Sequence, residues 1–157
     1  MAKPIADTDL IELSVGRWMP TDVAFVRDLF FSGTREAPDG SVNAPTVELL
    51  VLIQPRPSQS TGWPDPKGPF WEARIRFNGV REFRVDQRGA GDLQVAGFNI
   101  EDHSKSQMED ARLRVFDYES DSIGFWAVSA QVLSCECCAI GPVASPYSRE
   151  YPGDFSE

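Results

Sequence analysis

Between Phe70 and Leu133 apolar and polar residues alternate through five short segments: Phe70–Phe77, Val80–Val85, Leu93–Ile100, Ala111–Tyr118 and Ile123–Leu133. Each is rich in β-branched or aromatic residues and is closed by Gly, Asn, Asp or Ser, the signature of successive strands. In the first, Trp71, Ala73, Ile75 and Phe77 share one face, while Glu72, Arg74 and Arg76 take the other. Asn78-Gly79 is the favoured pair for a tight hairpin, because both central residues take positive φ, so Val80–Val85 is expected to return beside the first strand. Leu93–Ile100 places its apolar face at 96, 98 and 100, and Leu113 and Val115 oppose Arg112 and Arg114. Ile123–Leu133 alternates less cleanly, with Phe125 and Ala127 opposing Trp126 and Val128, as when both faces are partly covered. Glu101–Asp110 and Asp117–Ser122 read as polar and acidic loops.

The first half is less regular. Thr46–Ile53 is its clearest strand, with Val47, Leu49, Val51 and Ile53 on one face and Leu50 and Leu52 making the other partly apolar, as in a central strand. Pro55 and Pro57 end it by removing ladder donors. Gln54–Gly68 is the longest loop, and Trp63 within it is either a contact residue or an indole folded back to cap the sheet edge. Val23–Phe31 fits a short helix or a buried strand, and a helix is expected there if the chain has one. Met1–Arg17 is mildly amphipathic and fits an edge strand, though Leu10, Ile11, Leu13 and Val15 do not choose between the strand and helix periods, and Ser32–Pro45 is expected as a turn or hairpin loop around Asp39-Gly40. The predicted fold is mainly β: an antiparallel sheet, β-sandwich or half-barrel built from hairpins, with at most one or two short helices. It forms a single domain over 1–157, with 139–157 an irregular tail.

Composition narrows the function. At 157 residues, with 41% hydrophobic and 25% charged residues, the chain suits one soluble domain. Its longest apolar stretches fall far short of the ~18 residues of a membrane span. Acids at Asp7, Asp9 and Glu12 interrupt any apolar core of a targeting signal. A cytoplasmic protein is expected. A net charge of −9 repels phosphate backbones, so nucleic acid is not an expected partner; it favours basic proteins or serves solubility alone.

Three groups carry possible chemistry. His103, the only histidine, sits among Glu101, Asp102 and Ser104, where a base with an orienting carboxylate is conceivable, but no nucleophile motif accompanies it. Cys135, Cys137 and Cys138 form a poor disulfide framework and lack the second pair of a zinc site, so no metal or other cofactor is expected. The carboxylates Glu101, Asp102, Glu109, Asp110, Asp117, Glu119 and Asp121 would add to one negative rim if the loops Glu101–Asp110 and Asp117–Asp121 lay at one end of the sheet. No catalytic residue is assigned.

The order Arg76-Phe-Asn-Gly-Val80, Val95-Ala-Gly-Phe-Asn-Ile100, Val115-Phe-Asp-Tyr-Glu119 and Ile123-Gly-Phe125 resembles small β-rich immunity proteins found beside bacterial polymorphic toxins. The resemblance implies neutralisation of a cognate toxin by direct binding. With it, the expected function is a non-catalytic protein-binding module for a basic toxin. Trp63, Glu101, Asp102, Asp117, Glu119 and Asp121 are its expected partner contacts. The alternatives are a β-rich small-ligand domain using Trp63 and Trp71, and a hydrolase using His103 with nearby carboxylates.

Overall fold

A computed structural model describes residues 5–55, 63–86, 93–95, 97–103, 105, 112–119 and 121–139. The chain is mainly β, with one short helix and two principal sheets that do not close into a barrel. In chain order the elements are β1 (Ile5–Ala6), α1 (Asp9–Val15), a 3-10 turn (Pro20–Asp22), β2 (Val23–Ser32), β3 (Arg35–Glu36), β4 (Val42–Asn43) and β5 (Thr46–Ile53). They continue with β6 (Phe70–Asn78), β7 (Arg81–Val85), β8 (Leu93–Gln94), β9 (Phe98–Asp102), β10 (Leu113–Asp117), β11 (Ile123–Ala127) and β12 (Ser129–Ala139). A six-stranded sheet has the order β1-β12-β6-β5-β2-β8 and a four-stranded sheet the order β7-β11-β10-β9, while β3 and β4 form a separate ribbon. All pairs are antiparallel except β1 with β12. No helix among the described residues is long and apolar enough to cross a membrane.

The core lies between the two sheets. Val47, Leu49, Val51 and Ile53 of β5 and Ala73, Ile75 and Phe77 of β6 meet Phe98, Ile100, Leu113, Val115, Ile123 and Phe125 from the four-stranded sheet. Phe77 touches Phe125 edge-on across this interface, with centroids 5.1 Å apart and planes at 78°. Leu52 is also fully buried, in a second cluster with Ala24 and Phe70 on the opposite side of the six-stranded sheet. The two-sided apolar pattern of Thr46–Ile53 is therefore that of a strand covered on both faces.

Three sequence expectations need correction. Val23–Ser32 is a strand, paired along its length with β5; its pattern fits a short helix or a buried strand, and it is not the place of the helix, as was expected if the chain had one. Its successive apolar residues are divided between two faces that are each partly covered. The helix is instead Asp9–Val15, within the segment expected as an edge strand; only Ile5–Ala6 pairs there. Asp9 and Glu12 suit the positive end of α1, and Gly16 at φ 83° ends it with its N–H on the Glu12 carbonyl.

The third correction concerns Asn78-Gly79, which does not close a hairpin. β6 and β7 belong to different sheets, and Asn78 pairs with Ser129 of β12. The segment β11–β12 makes the same passage at Val128, whose N–H bonds the Asn78 carbonyl at 2.8 Å. Two neighbouring strands thus bend together from one sheet into the other. Gly79 has φ 66°, and a Cβ there would stand 2.7 Å from Val128 Cγ2. Gly79→Ala is expected to lower stability by about 1–2 kcal/mol in urea unfolding, through strain and crowding. Adding Val128→Ala should restore part of the loss; a stable single variant would refute this account of the bend.

Candidate functional site

The outer face of the four-stranded sheet is built by strict alternation. With Phe98, Ile100, Leu113, Val115, Ile123 and Phe125 turned inward, Asn99, Glu101, Arg114, Phe116, Gly124 and Trp126 point outward. The register sets them in two rows. Trp126 lies opposite Arg114, which lies opposite Glu101; Gly124 lies opposite Phe116, which lies opposite Asn99. β7 extends the second row by placing Arg84 opposite Gly124.

Gly124 has no side chain on this face, and the Arg84 guanidinium lies over it; a Cβ there would stand in tight contact with that group at 3.1–3.3 Å. Arg84 is held by the Asp121 carbonyl at 3.0 Å and by an ion pair with the Asp121 carboxylate. On the other side, Arg114 stacks over the Phe116 ring, 4.3 Å from its centroid. Between Gly124 and Trp126 the ladder to β7 slips by one residue, and Glu82 in that bulge adopts φ 54°. A left-handed non-glycine residue is uncommon, and bulges are a recurrent means of re-aiming side chains beside binding sites. The result is an open groove of about 290 Å³ lined by Glu82, Arg84, Arg114, Phe116, Gly124 and Trp126.

His103 stands at the end of the same face, beyond Trp126. Its Nε2 lies 2.9 Å from Glu101 Oε1, and its ring meets Trp126 edge-on at 5.2 Å. The sequence expectation of a histidine near a carboxylate therefore matches the geometry. What the carboxylate orients is a ring packed on tryptophan, with no serine, threonine or cysteine hydroxyl or thiol bonded to it among the described residues.

The expected contact residues separate. Glu101 and Asp102 are the last residues of β9 rather than loop residues, and they pair with Arg114 and Leu113. Asp117 is opposite Phe98, at the other end of β10, about 14 Å away along the strand. Among the described residues, Glu101 and Asp102 therefore stand at the opposite end of the sheet from Asp117 and share no rim with it, while Glu109 and Asp110 lie outside the described residues. Asp117 is 0% exposed and is turned inward, its carboxylate accepting from Ser122 N, Ser122 Oγ and Ile123 N. It shapes the turn and offers nothing to a partner. Glu119 and Asp121 are exposed, the latter engaged by Arg84. Trp63 lies half-buried on the far side of the six-stranded sheet, packed on the Ala24, Leu52 and Phe70 cluster with its Nε1 donating to Gln54 O at 2.8 Å. It caps that sheet, the second of the two roles considered for it.

Cys135 is a half-buried free thiol whose pKa is raised by burial, partly offset by Ser14 and raised further by Glu136, which disfavours thiolate chemistry. Cys137 is disulfide-bonded, although the clustered cysteines make a poor disulfide framework. No group of three ligating side chains able to hold a metal occurs among the described residues. Arg84, Arg114, Phe116, Gly124 and Trp126 were not singled out by sequence reasoning. The alternation of β10 and β11 carried the signal, but the register that sets Arg114 beside Trp126 had to be known. No family model matches the chain, and no curated protein or solved structure does.

Proposed function

We propose that the protein is a non-catalytic protein-binding module of the immunity type, which neutralises a cognate toxin by holding it against the outer face of the four-stranded sheet. The observation that carries this reading is the set of Trp126, Phe116, Arg84 and Arg114 on adjacent rigid strands. Aromatic residues and arginine dominate the energetics of protein interfaces, and strands hold them with little entropy left to lose. The toxin class rests on the sequence resemblance. The net charge of −9 would speed encounter with a partner that is basic overall, while on the docked face Trp126 and Phe116 would hold the complex and Arg84 and Arg114 would meet carboxylates of the partner. Cytoplasmic action belongs to the proposal, and the disulfide at Cys137 is the observation that weighs against it.

The test is binding to the product of an adjacent toxin-like reading frame. Combined Trp126→Ala and Phe116→Ala is expected to weaken the complex by about a hundredfold or more, since centrally placed aromatic anchors contribute at that level. Neutralising Glu101, Asp102, Glu119 and Asp121 should slow association at low salt and leave dissociation nearly unchanged. An unaltered affinity in the aromatic double variant would remove this face from the interface. Loss of neutralisation in His103→Ala with binding intact would favour the hydrolase instead.

A further inference from the structure

We infer that the groove over Gly124 is a binding site for a small planar monocarboxylate. The groove shares Arg84, Arg114, Phe116 and Trp126 with the face proposed to hold a partner, but the inference concerns a cavity of small-molecule dimensions and its test needs no partner. At about 290 Å³ the groove is at the lower limit of ligand pockets. Its two guanidinium groups differ in availability. Arg84 spends donors on both the carbonyl and the carboxylate of Asp121. The Arg114 guanidinium donates no side-chain hydrogen bond among the described residues and makes only a long ion pair with Glu101, at 3.9 Å. Its planar fork, oriented by stacking on Phe116, matches a carboxylate in a bidentate pair.

The rest of the groove fixes the remaining features of the ligand. Phe116 lies across the ladder from Gly124 and Trp126 two residues further along β11, while the Arg84 guanidinium lies over Gly124 itself. A flat apolar body rests beside Phe116 and Trp126 with its carboxylate reaching Arg114. A dianion such as a phosphate monoester is disfavoured, because Glu82 lines the groove, Asp121 already neutralises Arg84, and the chain carries −9 overall. A cationic ligand would meet both guanidinium groups.

The test uses benzoate as the probe, followed by proton–nitrogen correlation spectra of the full chain, with benzyl alcohol and phenyl phosphate as comparisons. Benzoate is expected to shift the Trp126 indole N–H and the Gly124 amide saturably, with a dissociation constant of about 1 mM or below. Benzyl alcohol should bind at least about tenfold more weakly, and Arg114→Gln should weaken benzoate about tenfold, ~1.4 kcal/mol, in a protein whose spectrum is otherwise retained. The inference is overturned by shifts that do not saturate, by saturable shifts centred elsewhere, by phenyl phosphate binding more tightly than benzoate, or by wild-type affinity in Arg114→Gln.

Discussion

Phe77→Ala is expected to cost about 4 kcal/mol of stability, the largest effect of any single substitution considered for this chain. The ring is fully buried between the sheets and sits edge-on to Phe125. Phe125 lies 5.8 Å from Phe83, which stacks on Phe31 at 5.1 Å with planes 19° apart. Four aromatic rings thus run in contact from β6 through β11 and β7 to the end of β2. Removing the innermost leaves a cavity between two sheets whose strands flanking it, β6 and β11, are each hydrogen-bonded on both edges and cannot readily close on it. The midpoint of thermal unfolding should fall by roughly 8–15 °C at this chain length. Phe31→Ala, at the exposed end of the same series, should cost no more than about 1.5 kcal/mol. Near-equal losses at the two ends would mean that the sheets are not joined through this contact.

Asp117→Ala is expected to cost about 3 kcal/mol, because it strands several buried donors at once. The carboxylate accepts from Ser122 N at 2.7 Å, Ser122 Oγ at 2.6 Å and Ile123 N at 3.1 Å, with no exposure to water. These bonds hold the turn in which Asp121 takes φ 52° and grips Arg84. Asp117→Asn should be milder, since the Ser122 hydroxyl can rotate to accept from the amide. Urea unfolding measures both. A wild-type midpoint for Asp117→Ala would show that water replaces the carboxylate in that turn. The substitution also separates two roles for this region: the groove should lose its Arg84 wall while Arg114 and Trp126 keep their places.

The fold class was legible in the sequence because alternation reports which residues share a face. Trp71 to Phe77 and Val47 to Ile53 fall on the faces their patterns assign. Alternation does not report which sheet a strand joins. Asn78-Gly79 carries the local signal of a tight turn and performs a different task, since Asn78 finds its partner 51 residues away at Ser129. The helix at Asp9–Val15 is too short for a helical period to emerge. Asp117 was grouped with the surface acids because burial of a carboxylate depends on donors that arrive only when the turn closes. Trp126 passed unmarked for the converse reason. Its neighbours in sequence, Phe125 and Ala127, are the buried pair, and its own surroundings come from β10 and from His103.

The shared bend at Gly79 and Val128 makes the two sheets one mechanical body. A pull on the four-stranded face travels along covalent backbone through Asn78–Val80 and Ala127–Ser129 into β6 and β12. There it loads the longest antiparallel ladder of the molecule in shear, so many hydrogen bonds resist together instead of parting one after another. A molecule held on that face can therefore be dragged without peeling its platform away. Amides of β11 and β12 should accordingly exchange with solvent as a single cooperative unit.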